Sequence, residues 1–142
     1  MKMKTIWIAT SNMHKVEEFQ NMLQGRANVK CLKDLDKKIE IVEDGKTFEE
    51  NALIKARAVS KEAPGAIVMA DDSGLEVDYL HKKPGIYSAR YMGEDTSYDI
   101  KNQTLLDRLE GVPDEKRTAR FVCAIAAAMP DGSCEVVRGT ME

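Results

Sequence analysis

Cysteine is scarce in this sequence, and no spacing joins the few cysteines that occur. Cys31, Cys123 and Cys134 are odd in number, lie far apart and form no CxxC pair. Disulfide frameworks normally use an even number of cysteines, and structural zinc sites use closely spaced cysteine and histidine pairs. The sequence therefore argues against a disulfide-stabilised fold and against a zinc site, and we expect a reducing, cytoplasmic location.

Long apolar segments and an excess of positive charge are also missing. The longest uncharged apolar run is Phe121–Met129, which is too short to cross a bilayer. Lys and Arg total 21 against 24 Asp and Glu, so the net charge is −3. General nucleic-acid binders are usually basic. We therefore expect neither a membrane nor a nucleic acid as a partner.

What is present is an ordinary globular composition, with 43% hydrophobic and 32% charged residues over 142 positions. No repeat or linker is visible, and apolar runs alternate with helical patterns, which predicts one α/β domain over residues 1–142. We predict strands at 5–9, 29–32, 67–70, 75–79, 119–129 and 134–142, and helices at 13–23, 47–63 and 97–109. Asp71–Gly74 is predicted to form a tight turn, and Tyr98, Leu105, Leu106 and Leu109 to form the buried face of the last helix.

A polar segment, Thr10–Lys15, follows the first predicted strand and opens the first helix. Small polar side chains, free backbone N–H groups and a lysine one turn into a helix together favour anion binding. The segment is not a Walker P-loop, because GxxxxGK[ST] is absent. The plainer interpretation is an N-capped helix with a solvated lysine.

Two adjacent carboxylates, Asp71 and Asp72, follow the buried strand at 67–70. The carboxyl ends of strands are where α/β sheets usually place ligands. Neighbours on extended backbone point to opposite faces, so we expect only one of the two to face a given site. Such a carboxylate could bind Mg²⁺ or activate a water molecule, and an Asp-rich turn without function remains the alternative.

Four further carboxylates lie close together around the predicted start of the second helix, namely Glu43, Asp44, Glu49 and Glu50. Oxygen ligands in this density suit a hard cation. Helix capping by Thr47 and favourable interaction with the helix dipole explain Glu49 and Glu50 equally well, because both lie in the first turn. They do not explain Glu43, which precedes the cap.

Taken in order, several segments resemble one family closely, the inosine/xanthosine triphosphate pyrophosphatases, also called non-canonical purine NTP pyrophosphatases. The segments that carry the resemblance are Ile8–Asn12 with Lys15, Glu43–Ala52, Ala70–Leu75, Pro84–Tyr91 and Ala119–Phe121. The similarity runs from about Thr5 to Glu142. It implies a mixed central β-sheet flanked by helices, with two lobes around a nucleotide cleft.

The same resemblance implies Mg²⁺-dependent hydrolysis of ITP, dITP and XTP to the monophosphate and pyrophosphate, by an enzyme that is usually a homodimer. By position, Asp72 is implied as the proton acceptor for the attacking water and as a Mg²⁺ ligand, with Glu43 as a second ligand. Ser73 is implied to bind substrate beside them. The implied triphosphate-binding residues are Thr10, Ser11, Asn12, Met13, His14 and Lys15.

The sequence also departs from the family pattern. A Gly-Phe-Gly-Tyr-Asp loop, a following lysine and a Ser-His-Arg motif, which read the base in that family, do not occur in it. We therefore expect a chain that lacks its C-terminal segment, with the second lobe incomplete. The alternative function is an inactive nucleotide-binding fragment of the same enzyme, and the base preference and any metal contact of Asp71 stay open.

Overall fold

The structure of the chain, a computed structural model, describes residues 4–90 and 97–142. Within this part of the chain, helices and strands alternate much as the hydrophobic pattern predicts. The helices are α1 (Met13–Met22), α2 (Phe48–Glu62) and α3 (Tyr98–Arg108). The strands are β1 (Lys4–Ile8), β2 (Ala27–Cys31), β3 (Ile67–Val77), β4 (Lys83–Pro84), β5 (Ala119–Ala128) and β6 (Cys134–Met141).

The strands of the described residues form a mixed sheet in the order β2-β1-β3-β5-β6, with β4 paired to β3 outside this path. Strand β1 pairs in parallel with both β2 and β3, whereas β3 and β4 are antiparallel. A mixed sheet combined with helices confirms the predicted α/β class. None of the helices seen in residues 4–90 and 97–142 has the length and apolarity that crossing a membrane requires.

Helix α2 begins where the capping pattern predicts. The Thr47 hydroxyl accepts the Glu50 backbone N–H at 3.0 Å, which satisfies one of the free donors of the first turn. The Glu50 carboxylate accepts the N–H of Lys46 at 2.6 Å, one residue before the N-cap. In a standard capping box the Glu50 carboxylate would accept the N–H of the N-cap residue itself, whereas here it accepts the N–H one residue earlier. The predicted start of the helix is confirmed.

The predicted turn at Asp71–Gly74 is wrong, because β3 runs without interruption from Ile67 to Val77. Asp and Gly favour turns locally, but pairing within a sheet overrides that preference when the side chains find partners. Asp71 is 8% exposed and forms an ion pair with Lys15 at 3.1 Å. This partner allows an acidic residue to remain inside an extended, buried strand.

The predicted buried face of α3 is partly wrong. Leu105 and Leu109 are buried as expected, but Tyr98 is 66% exposed and Leu106 is 53% exposed. The stripe instead includes Lys101, which is 4% exposed and places its Nζ atom 4.9 Å from the centre of the Tyr98 ring. Residues 101, 105 and 109 share one helix face, so the long apolar stem of the lysine can pack there.

The described chain divides into two compact units. Unit 1 contains residues 4–72 and Ala124–Arg138, and its buried apolar side chains include Ile8, Phe48, Val59 and Val68. Unit 2 contains the described residues of Ser73–Cys123 together with Gly139–Glu142. Its core consists of Val77, Leu80, Leu105, Leu109 and Val112. The prediction of a single domain over the whole chain stays a prediction.

The core assignment predicts the effect of two matched substitutions. Ile8 is fully buried in unit 1, whereas Ile100 is 54% exposed. We expect Ile8→Ala to lower the free energy of unfolding by about 2–5 kcal/mol, because it removes buried methyl groups and leaves a cavity. Ile100→Ala should change the same free energy by no more than about 0.5 kcal/mol. Urea denaturation followed by circular dichroism measures both; equal losses would contradict the assignment.

Candidate functional site

The pairing of β1 with β3 brings two of the predicted site segments to one edge of the sheet. Ile8 lies opposite Met69, and the Ala9 N–H donates to the Met69 carbonyl at 2.8 Å. Because the strands are parallel and in this register, Thr10–Lys15 and Asp71–Asp72 both follow the same paired edge. This register and the ion pair between Lys15 and Asp71 bring the two segments together.

The start of α1 is organised by local hydrogen bonds. The Thr10 hydroxyl accepts the Asn12 N–H at 3.0 Å, and the Asn12 side-chain oxygen accepts the His14 N–H at 3.0 Å. Asn12 is therefore the N-cap of the helix. This is the arrangement that the capping interpretation predicts, and it also fixes the orientation of the helix N-terminus.

The predicted triphosphate-binding residues at this helix end differ in exposure. Lys15 is half-buried beside Asp71, and Thr10 is also partly buried. The remaining predicted binding residues of the segment, Ser11, Asn12, Met13 and His14, are exposed. The helix N-terminus is thus accessible, and anion binding there stays a prediction.

A second lysine–carboxylate pair lies in the same unit. Glu43 precedes α2, and Lys55 lies within it; their Oε1 and Nζ atoms are 3.2 Å apart. The Lys55 side chain is only 14% exposed, whereas that of Glu43 is 38% exposed. Glu43 is thus held by a largely buried cation and keeps one side open to solvent.

The other three acidic residues near the start of α2 are not part of the Glu43–Lys55 pair. Glu49 pairs with Arg138 at 3.2 Å, and Glu50 caps the N–H of Lys46. Asp44 is exposed. Glu43, by contrast, acts electrostatically on Asp72 and raises the pKa of that carboxyl.

Asp72 is the most unusual carboxylate of the unit. Its Oδ2 atom is buried and has no hydrogen-bond partner. Burial raises the pKa of the Asp72 carboxyl above its ordinary value, and the negative charge of Glu43 acts in the same direction. The positive charge of Lys55 and a hydrogen bond with the Asn51 side chain oppose this rise. Asp72 is therefore a poorly solvated acid that retains an unused acceptor.

Asn51 connects this carboxylate to the segment that carries Glu43. It is 1% exposed, and its Oδ1 atom accepts the Gly45 N–H at 2.8 Å. A Cβ atom at Gly45 would lie 2.7 Å from the same Oδ1 atom and 2.8 Å from the Glu50 Cβ. The close approach of the two segments therefore requires glycine at position 45.

The sequence interpretation missed Asn51 and Lys55 as site residues. Each carries a signal that could have found it, because an amide at position 51 and a cation at position 55 interrupt the small, apolar stripe of α2. The two positions are four residues apart and so share one helix face. Polar residues four positions apart, next to a buried apolar stripe, indicate that their side chains have hydrogen-bond or charged partners inside the fold.

Three residues of the segments that carry the family resemblance lie in unit 2 or outside the described residues. Ser73 is exposed on β3 and belongs to unit 2. Ser88 has a local role, because its hydroxyl accepts the Leu75 N–H at 2.9 Å and donates to the Gly85 carbonyl at 2.6 Å. Tyr91 lies outside the described residues.

The donor set fits a magnesium ion bound together with a phosphorylated ligand. No cluster of three or more His, Cys, Asp or Glu side chains able to hold a metal is found in residues 4–90 and 97–142. Mg²⁺ is, however, commonly bound through one or two carboxylates, with substrate phosphates and water completing its shell. Glu43 and Asp72 supply such a pair, and the unpartnered Asp72 Oδ2 is the atom that a cation would satisfy.

The fold and this group of side chains together define a class of protein. Paired carboxylates and lysines at the edge of a partly parallel sheet are typical of α/β proteins that handle phosphorylated ligands. The sequence profile of the Ham1 family matches residues 6–142. The chain belongs to the Ham1 family, which confirms the family resemblance found in the sequence.

Individual relatives agree with this assignment. The chain is 53% identical to a dITP/XTP pyrophosphatase of Bacillus licheniformis, in an alignment that covers 99% of this chain and 71% of the relative. It is 46% identical to the dITP/XTP pyrophosphatase of Bacillus subtilis, with coverage of 99% and 71%. The solved structure of the Staphylococcus aureus Ham1 protein superimposes with a TM-score of 0.86 at 40% identity, covering 97% of this chain and 70% of that one.

The environment of Asp72 predicts a pH-dependent effect of its replacement. Because the folded-state pKa is raised above the unfolded value, the ionised carboxylate costs stability above the folded-state pKa. That cost disappears as the pH falls through the raised pKa towards about 4, the ordinary carboxyl range. We therefore expect Asp72→Asn, in EDTA, to have a higher Tm than the original chain at pH 7 and an equal Tm at low pH. A lower Tm at pH 7 that persists at low pH would contradict this account of Asp72.

Proposed function

We propose that this chain is a nucleoside triphosphate pyrophosphatase, which hydrolyses ITP, dITP and XTP to the monophosphate and pyrophosphate in the presence of Mg²⁺. The relatives named dITP/XTP pyrophosphatase support the substrate class. The observation that carries the proposal is the buried, unpartnered Oδ2 atom of Asp72, which lies within the electrostatic reach of Lys15, Lys55 and Glu43.

In this proposal, the chain's own residues bind and orient the reactants. Lys15 and the N-terminus of α1 bind the triphosphate, because a cation and free N–H groups favour a polyanion. Glu43 and Asp72 hold Mg²⁺, which when bound neutralises phosphate charge and polarises the phosphoryl group. Asp72 orients the attacking water and accepts its proton, while Ser73 contacts the substrate next to it.

Substrate binding at this site also requires an exchange of partners. Lys15 and Lys55 already pair with Asp71 and Glu43. A triphosphate that pairs with Lys15 and Lys55 releases Asp71 and Glu43 from their ion pairs. A cation that binds Glu43 releases Lys55. The two exchanges favour each other, so we expect nucleotide and Mg²⁺ to bind cooperatively.

The substrate class is tested by pyrophosphate release from dITP and XTP compared with dATP and dGTP, each with Mg²⁺ and with EDTA. We expect release that requires Mg²⁺ and is faster with dITP and XTP. Trp7 lies on β1 just before the proposed phosphate-binding segment, so its fluorescence reports nucleotide binding independently. Binding of dITP without pyrophosphate release would favour the alternative of an inactive nucleotide-binding protein.

The role of Lys15 is tested by Lys15→Met with Lys37→Met as its matched control. Both lysines form an ion pair of 3.1 Å, with Asp71 and with Glu62, but the Lys37 side chain is 67% exposed and that of Lys15 is 30% exposed. We expect Lys15→Met to lower kcat/KM for dITP by about 10-fold or more, the loss of one charge-assisted contact of about 1.5–3 kcal/mol. Lys37→Met should leave kcat/KM unchanged, and equal effects would remove Lys15 from the site.

We also propose, from the family resemblance, that the chain acts as a homodimer in the cytoplasm. Sedimentation equilibrium of the purified chain tests the dimer, and a monomer at all accessible concentrations would contradict it. Fractionation of expressing cells tests the location.

A further inference from the structure

We propose that Asn51 is a positioning residue that fixes the Glu43–Gly45 segment against Asp72 and so sets the spacing of the two carboxylates. The inference rests on the proposed function for its catalytic consequence, but the contact itself can be tested without any activity. Asn51 touches neither substrate nor metal in this account; it acts through Asp72 and through the backbone of Gly45.

The first contact is the hydrogen bond from the Gly45 N–H to the Asn51 Oδ1 atom at 2.8 Å. Gly45 is two residues from Glu43, and Asn51 is 1% exposed within α2. A buried amide oxygen that accepts a backbone N–H ties a loop to a rigid helix. This hydrogen bond therefore fixes the position of the Glu43 segment relative to α2.

Asn51 also acts on Asp72, because hydrogen bonding from its side chain is one of the effects that lower the pKa of that carboxyl. An amide supplies an acceptor and a donor at once, so the same side chain can receive the Gly45 N–H and donate to a carboxylate. Aspartate keeps the acceptor and loses the donor, and leucine of similar volume keeps neither. The chemistry of both neighbours thus selects asparagine.

The space around Gly45 gives independent support. A Cβ at this position would meet Asn51 Oδ1 at 2.7 Å and the Asn51 backbone nitrogen at 3.1 Å. The segment approaches α2 closely because residue 45 has no side chain. Gly45→Ala should therefore displace Asn51 or the segment without changing any functional group of the site.

Five single variants, two of them controls, separate positioning from ordinary stability. Asn51→Leu removes both contacts, Asn51→Asp retains the acceptor for Gly45, and Gly45→Ala displaces the pair sterically. Val59→Ala is the control for destabilisation, because Val59 is fully buried on the same helix. Gly139→Ala is the control for the glycine substitution, because an added Cβ there has nothing within 4 Å.

The activity-independent measurement is hydrogen exchange of the Gly45 amide by NMR, in the absence of nucleotide and metal. We expect Asn51→Leu to accelerate exchange at Gly45 selectively, with the Val68 amide in β3 as the internal reference, and Asn51→Asp to preserve protection. Val59→Ala should not single out Gly45. Unchanged Gly45 exchange in Asn51→Leu would overturn the proposal even if the chain hydrolyses no nucleotide.

The catalytic measurement is kcat and KM for dITP at saturating Mg²⁺, together with the Mg²⁺ concentration at half-maximal rate. We expect Asn51→Leu and Gly45→Ala to lower kcat by about 10–100-fold, the usual effect of losing a residue that orients a metal ligand. KM should change much less, because the lysines that bind phosphate are untouched. The half-maximal Mg²⁺ concentration should rise, and combining the two substitutions should add little.

The remaining outcomes are also decisive. Wild-type kcat in folded Asn51→Leu or Gly45→Ala, or an equal fall of kcat in Val59→Ala, would reduce Asn51 to a structural residue. If Asn51→Leu does not fold, Gly45→Ala decides the question by the same two measurements. Absence of pyrophosphate release by the original chain would refute the proposed function, whereas the exchange experiment would still judge the contact.

Discussion

The parallel pairing of β1 with β3 is the constraint on which the site depends. It sets the register in which Ile8 lies opposite Met69. Because of this register, the polar segment Thr10–Lys15 and the acidic pair Asp71–Asp72 both follow the residues that pair β1 with β3, and they lie side by side. The ion pair between Lys15 and Asp71 then links the two segments across the sheet edge. A one-residue slip of β3 would turn Asp71 and Asp72 to the opposite faces and separate these charges.

A second constraint is electrostatic. Burying a carboxylate without a full set of partners costs free energy, and the rise in the pKa of Asp72 expresses that cost. The surrounding charges offset it only in part, because Lys55 also neutralises Glu43. Proteins often accept such a cost where a ligand will satisfy the group. The proposed Mg²⁺ would supply the positive charge that the folded chain leaves missing beside Asp72.

The sequence predicted the class of fold and most element positions because the relevant signals are local. Thr47 with Glu50 marks the start of α2, and the alternation of apolar runs gives the sheet. It failed at Asp71–Gly74, where local turn preference lost to strand pairing and to the ion pair with Lys15. It also failed at Lys101, since hydropathy treats lysine as polar although its stem packs against apolar groups.

The candidate site was predictable to a similar degree. Motifs in order along the chain predicted Lys15, Glu43 and Asp72 as site residues, because a family resemblance assigns roles position by position, and those roles stay predictions. The same motifs included Asn51 without indicating its function, since that function depends on the distance from Gly45 to a helix that begins three residues later. Contacts of this kind are set by tertiary packing, and no single-residue pattern encodes them.

The most direct test of the account is the product spectrum of dITP with Mg²⁺, followed by phosphorus NMR for the original chain and for Asp72→Asn. We expect deoxyinosine monophosphate and pyrophosphate from the original chain. We expect the folded variant to lose at least about 100-fold in rate, the usual contribution of a positioned proton acceptor. Release of orthophosphate and a diphosphate, or undiminished turnover by Asp72→Asn, would contradict it.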